Sequence, residues 1–390
     1  MVGKGIDKAD YLYQNRAERA KELRSEGKEI IGYLCPYVPV EILTAGGLVP
    51  YRITGDVREP TTSSDAYLEP IFCSYLRSCF GLAVRGEYDF LDGLIVPHAC
   101  DHSVHLYNVW KHNLKAPYSY FLNVPHTLSP PSLKFFKAEL SAFKRSLERL
   151  MGREIPLERL SYAIRVHNEN RALVRELYDL RKPKPPLLSG TEMMKILVAI
   201  SVLPVEEANE LLREVIGEVK ERGDGPQRKP VRLLIYGAGL DDTAFVELVE
   251  GSGANVVIDD ICIGTKTYWY DVETSGDHLE DIAVRYLKKI PCPRTYKERT
   301  GTYHEDLENR FGYLYDFAKQ FKATGVILYI IRYCDTFGFD LPDVEHYLKE
   351  TGLPTLVIEE DYIMGNIGRM KTRVQAFLEV LTSAATPQRG

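Results

Sequence analysis

Eight short apolar runs, four in each half of the chain, constrain the fold more than any other sequence feature. Each run is bounded by turn residues and has the length of a buried β-strand. The runs are Ile30–Leu34, Leu48–Ile53, Leu91–Val96 and Tyr118–Val124 in the first half, and Val231–Tyr236, Ala254–Ile258, Val326–Ile331 and Thr355–Ile358 in the second. Because helical patterns lie between several runs, the sequence predicts an α/β fold with parallel sheets covered on both faces.

The stretch between the two groups of runs is typical of amphipathic helices. Its apolar residues recur at spacings of three and four, as in Leu140, Phe143, Leu147 and Leu150. Two stretches rich in proline, glycine and charge, 181–190 and 221–230, are typical of loops. We therefore predict an N-terminal α/β domain over residues 1–131, a helical segment over 132–225 and a C-terminal α/β domain over 226–390.

Charge and hydropathy exclude several classes of protein. The formal net charge is −6, which argues against a nucleic-acid-binding protein with a basic surface. No segment approaches the roughly 20 apolar residues of a membrane span. The N-terminal sequence MVGKGIDKAD is polar and lacks the apolar centre of a signal peptide. We expect a cytoplasmic protein that does not bind nucleic acid or membranes.

Four of the seven cysteines directly follow a predicted strand, namely Cys35, Cys100, Cys262 and Cys334. Cysteines that only fill a core have no reason to prefer this position. In open parallel sheets, ligands bind beyond the carboxyl ends of the strands. The dipeptide Cys-Asp also recurs after one strand of each half, at Cys100 and Cys334. The pattern predicts two similar halves whose strand ends face one cleft.

The other three cysteines have different surroundings. Cys73 precedes a predicted helix, and a helix N-terminus favours a thiolate. Cys79 lies within that helix and is interpreted as a packing residue, whereas Cys292 stands between two prolines. The chain lacks the paired cysteines of zinc sites and the Cys-x₂-Cys-x₂-Cys run of ferredoxins. Spacing alone therefore leaves both a metal cluster and buried structural thiols open.

Two further residues are candidates for acid–base chemistry. Glu41 follows a strand end and is either a general base or a carboxylate stabilised at a helix N-terminus. His98 lies two residues before Cys100 and is either an acid or base or a hydrogen-bonding neighbour of the cysteine. The Gly-Ala-Gly at 237–239 is interpreted as a strand-to-helix turn, because Asp242 occupies the position of the third glycine of a dinucleotide loop.

Nine local motifs are spread along nearly the whole chain, namely CPYVPVEILTAGGLVPYRI (35–53), CSYLRSCFG (73–81), HACD (98–101), VHNENRALVRELYDLR (166–181), DDICIGTKTYWYDV (259–272), AVRYLKKIPCPRTY (283–296), RYCD (332–335), VIEEDY (357–362) and TRVQAFLE (372–379). This ordered set resembles the 2-hydroxyacyl-CoA dehydratase and benzoyl-CoA reductase family. The resemblance implies two flavodoxin-like domains joined by a helical segment.

The resemblance also implies a cofactor and a chemistry. A 4Fe–4S cluster is expected on the positions that match the family's ligands, Cys73, Cys100 and Cys334. Three ligands leave one iron open for a substrate oxygen. One electron given to the carbonyl of an acyl-CoA thioester makes a ketyl radical, which expels the 2-hydroxyl group. In the reductase branch of the family, the electrons enter an aromatic ring instead.

Partners and alternatives follow from the same resemblance. Family members depend on an ATP-hydrolysing iron–sulfur activator protein, and the absence of a GxxxxGK[ST] loop makes this a separate chain. A homodimer or a heterodimer with a related subunit is expected. One branch instead carries a double-cubane 8Fe–9S cluster that reduces small molecules, and its six ligands would be Cys35, Cys73, Cys100, Cys262, Cys292 and Cys334. A non-catalytic electron-transfer subunit is the third alternative.

Overall fold

A computed structural model describes residues 4–385 and confirms the predicted fold class. The chain forms two four-stranded sheets in which every neighbouring pair of strands is parallel. The first sheet has the order β2-β1-β3-β4 and the second the order β6-β5-β7-β8, so both are doubly wound as in flavodoxin. The strands are β1 (Ile30–Tyr33), β2 (Val49–Arg52), β3 (Gly93–Pro97), β4 (Tyr118–Leu122), β5 (Val231–Gly237), β6 (Ala254–Asp260), β7 (Gly325–Ile331) and β8 (Thr355–Glu360).

Helices cover both sheets and connect them. Those of the first half are α1 (Gly5–Gln14), α2 (Glu18–Ser25), α3 (Val40–Gly46), α4 (Ser74–Val84) and α5 (Asp101–Asn113). The central helices are α6 (Pro130–Met151), α7 (Leu157–Asp179), α8 (Gly190–Ile200) and α9 (Val205–Glu221). The second half has α10 (Ala244–Gly251), α11 (Thr265–Tyr268), α12 (His278–Val284), α13 (Tyr303–Phe321), α14 (Asp335–Glu350) and α15 (Ile367–Ala385). No helix within residues 4–385 has the length and apolar character that crossing a membrane requires.

The central helices attach the N-terminal residues to the rest of the molecule. Helix α1 packs against α8 and α9, although the sequence places it at the start of the first half. Helix α8 was not predicted individually, because its second half, Ile196–Ile200, is a continuous buried apolar run and not a one-sided pattern. The domain limits at 131 and 225 stay predictions, and the outermost residues of the predicted domains, 1–3 and 386–390, lie outside the described residues.

One cluster of buried apolar side chains extends from the first sheet into the second. Both halves are also joined by a parallel bridge between Thr127 and Tyr296. A shared core of this kind fixes the two sheets relative to each other. The loops that follow β1, β3, β6 and β7, which carry four of the cysteines, are therefore held by a packed scaffold.

A candidate cysteine-lined site

Cys73, Cys100 and Cys334 share one structural position, since each is the N-cap residue of a helix. They precede α4, α5 and α14 respectively. The first turn of a helix has free backbone N–H groups and a partial positive charge. Three helix N-termini that each carry a cysteine favour an anionic group beside these thiols.

His102 shows that the three helix starts lie together. The backbone N–H of Cys73 donates to Nδ1 of His102 at 3.5 Å, and the same atom lies 4.0 Å from a carboxylate oxygen of Asp335. The imidazole stacks on the ring of Phe72 with centroids 4.7 Å apart. The thiol of Cys73 lies close enough to Cys334 to raise its pKa. We call Cys73, Cys100 and Cys334 the first triad.

The thiols of Cys100 and Cys334 are held in the neutral form. Burial raises the pKa of Cys100 to about 12. The neighbouring Cys73 thiol and burial together raise the pKa of Cys334 well above its ordinary value. A coordinated metal supplies positive charge and deprotonates a thiol outright. Without a metal these thiols stay protonated, whereas the positive charge of a metal would stabilise their thiolate form.

Cys35, Cys262 and Cys292 form a second group, which we call the second triad. Burial raises the pKa of the Cys35 thiol, and the thiols of Cys262 and Cys292 add to this effect. Burial also raises the pKa of Cys262 to about 12, again with a contribution from Cys292. The three residues come from the ends of β1 and β6 and from the loop after residue 289, so the second triad combines both halves of the chain.

Two buried cations face the second triad. Arg52, the last residue of β2, is only 6% exposed, and its guanidinium has no hydrogen bond or ion pair with any described residue. The guanidinium lies 5.4 Å from the ring centroid of Tyr33 and acts electrostatically on Cys35 and Cys262. Lys266 is buried, pairs with Asp260 and donates to the carbonyl of Pro291 at 2.8 Å. A buried unpaired guanidinium is costly unless an anion lies beside it.

Sequence reasoning missed Arg52 and Lys266. Arg52 ends β2, which is the same signal that identified the cysteines, whereas Lys266 lies on α11, six residues after the end of β6. The burial of these two cations was not available in the sequence.

Backbone conformation is unusual beside both triads. Cys35 has φ of 67° and Tyr333, which precedes Cys334, has φ of 64°. Among the described residues other than glycine, positive φ occurs only at these two positions and at Lys322. Such conformations are uncommon for residues with a side chain and tend to persist at functional sites. Two of the three therefore coincide with predicted ligand loops.

Glu41 is buried in a network of charges. It is 0% exposed, forms an ion pair with Arg171 and accepts a hydrogen bond from the hydroxyl of Tyr286 at 2.8 Å. Burial would raise its pKa, but Arg171 and then His167 and Arg285 outweigh this and hold the pKa at about 2. A carboxylate of this kind accepts protons weakly. The role of Glu41 as a general base stays a prediction.

His98 lies in the loop between β3 and α5, with its ring edge-on to His126 at a centroid distance of 4.6 Å. Burial and the nearby guanidinium of Arg294 lower the pKa of His98. The neutral imidazole is therefore favoured at neutral pH. Its role as an acid or base also stays a prediction. Cys79, in contrast, is fully buried in the core on α4.

Within residues 4–385, no group of three histidine, cysteine, aspartate or glutamate side chains is arranged to hold a metal ion. Both triads are therefore looser groups of thiols than the ligand shell of one zinc ion, whose four ligands surround a single point.

The amino-acid sequence is similar to a known protein family and to several characterised enzyme subunits. Residues 35–381 match the family model described as 2-hydroxyglutaryl-CoA dehydratase, D-component. A benzoyl-CoA reductase subunit of Thauera aromatica is 28% identical, with 90% of each chain covered. The (R)-phenyllactyl-CoA dehydratase beta subunit of Clostridium sporogenes is 24% identical, covering 93% of this chain and 94% of the relative. The putative dehydratase subunit YjiM of Escherichia coli (strain K12) is 25% identical, covering 92% and 93%.

Proposed function

The chain belongs to the 2-hydroxyglutaryl-CoA dehydratase D-component family, and we propose that it is the iron–sulfur subunit of an acyl-CoA dehydratase or reductase. The relatives are named as subunits of benzoyl-CoA reductase and of 2-hydroxyacyl-CoA dehydratases, which supports an enzyme of this type. The observation that carries the proposal is the position of Cys73, Cys100 and Cys334 at three neighbouring helix N-termini.

The first triad fits a 4Fe–4S cluster better than a single ion. Each thiolate of such a cluster binds a different iron, so the three sulfurs need not surround one point. This agrees with the lack of a single-ion site among the described residues. Three thiolates also leave one iron without a protein ligand. When bound, the cluster supplies single electrons of low potential to the thioester carbonyl of an acyl-CoA.

The surrounding residues tune and protect the proposed cluster. The backbone N–H of Phe337 faces the sulfur of Cys334, and the hydroxyl of Thr336 lies 3.7 Å from it. Hydrogen bonds to cluster sulfurs raise the reduction potential, as do nearby helix N-termini. The stacked rings of Phe72 and His102 lie beside Cys73, whose side chain is buried.

Partners are part of the same proposal. The relatives are each named as one subunit of a larger enzyme, which supports assembly with a second copy or a related chain. We also propose that electrons arrive from a separate ATP-hydrolysing iron–sulfur activator protein in the cytoplasm, because the sequence lacks a phosphate-binding loop.

A double-cubane reductase is the second candidate function, and the second triad is the observation that favours it. Cys35, Cys262 and Cys292 lie close enough to influence one another's pKa values, and the unpaired guanidinium of Arg52 lies beside them. An anionic iron–sulfur unit at this place would compensate the buried charge. Six cysteines from one chain would then serve one 8Fe–9S cluster.

Iron and sulfide counts after anaerobic purification separate the two candidates. We expect about four irons per chain for one cubane and about eight for a double cubane. Loss of iron in Cys334→Ser is expected in both cases, while Cys79→Ser is the matched control that keeps it. Cys262→Ser is expected to lower the count only in the double-cubane protein.

A folded protein without iron after anaerobic purification would contradict both candidates. Unchanged iron in Cys334→Ser would contradict the ligand assignment alone. Binding of an acyl-CoA supports the dehydratase or reductase, because a reductase of small molecules does not require the CoA carrier.

A further inference from the structure

A small cavity lies where the first half, the central helices and the second half of the chain meet. Its walls come from β1, β2 and the start of α3, from α7, α8 and α9, and from α11 and the segment after α12. No cysteine of either triad lines it. The cavity measures about 60 Å³. Because a water-sized position takes roughly 15 Å³, this space fits a ligand of about four non-hydrogen atoms.

The hydroxyl groups of Tyr33 and Tyr268 are open donors in the cavity wall. The two residues are 9% and 7% exposed and both line the cavity. Among the described residues neither hydroxyl has a hydrogen-bond partner, and both oxygens keep accessible surface, unlike the enclosed hydroxyl of Tyr236. Buried hydroxyls are almost always hydrogen-bonded, so two open ones in one small cavity indicate that an acceptor occupies it.

Arg285 adds a buried positive charge that has no ion pair within residues 4–385. It is 2% exposed, and its Nε and Nη2 donate to the backbone carbonyls of Tyr270 and Thr267. Nη1 has no partner among the described residues, and Arg285 lines the cavity. Burial, followed by the guanidinium of Arg171, lowers the pKa of Arg285 to about 10. An anion beside this guanidinium would compensate its charge.

The other charged groups around the cavity already have partners. Arg171 forms an ion pair with Glu41, whose carboxylate is fully buried and does not line the cavity. Arg175 forms an ion pair with Asp271. Burial lowers the pKa of His167 to about 4, so this imidazole in the cavity wall is neutral at pH 7. The unpaired guanidinium therefore decides the sign of the charge that the cavity favours.

The two hydroxyls and the guanidinium lie near one another. The pKa of Tyr268 is raised by burial and then by Tyr33, whereas the guanidiniums of Arg52, Arg171 and Arg285 lower it. The donors of the cavity therefore act on one region, which is surrounded by more guanidiniums than carboxylates. A planar oxyanion offers two oxygens, so it can accept from the guanidinium and from the hydroxyls at once.

We propose that this cavity binds a small carboxylate, such as formate or acetate, whose oxygens accept from Arg285, Tyr33 and Tyr268. The short carbon chain of the ligand lies against the apolar part of the wall. This part comprises Val38, Val40, Pro50, Ile200, Leu203 and Val205. The volume limits the ligand to one or two carbons and excludes an acyl-CoA. The site is independent of the proposed cluster, and its ligand would connect the three parts of the chain that form the walls.

Equilibrium dialysis of the protein against radiolabelled acetate tests the proposal. We expect one acetate per chain, displaced by formate but not by chloride at the same ionic strength, because a spherical ion cannot reach all three donors. Tyr33→Phe and Tyr268→Phe should each weaken acetate binding about tenfold. Tyr315→Phe is the matched control, because it removes a hydroxyl from α13, outside the cavity, and should leave the affinity unchanged.

Unfolding in urea provides a second measurement. Acetate that binds only the folded protein should raise the unfolding midpoint of the wild type as its concentration increases, and both cavity variants should need about tenfold more acetate for the same rise. Without acetate, each variant should unfold at the wild-type midpoint or higher, since the hydroxyl it lacks has no partner in the protein. A clear loss of stability without acetate would show that the hydroxyl is already satisfied, and would overturn the inference.

Three binding results would also overturn it. The wild type retains no acetate, chloride displaces acetate as readily as formate does, or either cavity variant binds acetate as tightly as the wild type. Acetate binding by a protein that lacks iron would contradict the proposed cluster and leave this site standing, so the two proposals fail separately.

Discussion

Replacing Glu41 by glutamine should destabilise the protein by about 3 kcal/mol at pH 7. The folded structure lowers the pKa of Glu41 from 4.5 to about 2. Each pKa unit corresponds to about 1.4 kcal/mol, so favouring the ionised form contributes about 3 kcal/mol. Glutamine has the same shape as the protonated acid, and it leaves Arg171 and Arg285 buried without a carboxylate between them.

The pH dependence has a defined sign. Because the folded pKa is depressed, the contribution of Glu41 is complete above pH 4.5 and is lost as the pH falls toward 2. Linkage gives a remaining difference of about 2 kcal/mol at pH 3.5. Urea denaturation of wild type and Glu41→Gln at pH 7 and pH 3.5 measures both values.

Glu169→Gln is the matched control, because it removes the same charge from an exposed pair with Arg213 on the surface of α7. Exposed ion pairs contribute at most about 1 kcal/mol. A Glu41→Gln loss no larger than that of the control, or a difference that is the same at both pH values, would refute the reasoning.

Two further predictions concern buried groups of the second half. Burial raises the pKa of Asp241 from 3.8 to about 6, so the folded protein is destabilised as the pH rises and this buried carboxyl group ionises. Asp241→Asn should therefore be up to about 3 kcal/mol more stable than wild type at pH 8. In thermal or urea unfolding, the difference between the two proteins should vanish below pH 4. A pH-independent difference would contradict this assignment. A Cβ at Gly237 would lie 2.4 Å from the carbonyl oxygen of Tyr329, so Gly237→Ala should cost more than about 2 kcal/mol, whereas Gly217→Ala in open space on α9 should add up to about 1 kcal/mol. Equal unfolding midpoints for the two alanine variants would show that the backbone around residue 237 shifts to accommodate the added methyl group without loss of stability.

The strands were predictable because each is a short apolar run bounded by turn residues. Six of them are buried along their whole length, whereas β4 and β8 are only partly buried. Ile30–Leu34 and Val326–Ile331, for example, differ from β1 and β7 by one residue at one end. The placement of cysteines at strand ends followed from the same runs. Helix α8 gave a weak signal, because its second half, Ile196–Ile200, is a buried apolar run without the polar residues that reveal a helical period.

The partners of the site residues were not predictable, because they are distant in sequence. Glu41 meets Arg171 after 130 residues and Tyr286 after 245 residues. No local pattern indicates that such side chains will meet. The same holds for Cys292. Its two flanking prolines restrict its backbone, but they do not indicate that it will lie near Cys35. The grouping of six cysteines into two triads therefore required the packed structure.

Each triad takes thiols from both halves of the chain, and this has a consequence for biosynthesis. Cys73 and Cys100 leave the ribosome more than two hundred residues before Cys334, and Cys35 precedes Cys292 by a similar length. During translation, the early cysteines therefore emerge without their partners while the second sheet is still being made. A cluster bound by either triad would therefore have to be delivered after most of the chain has been made, as a late step in biosynthesis.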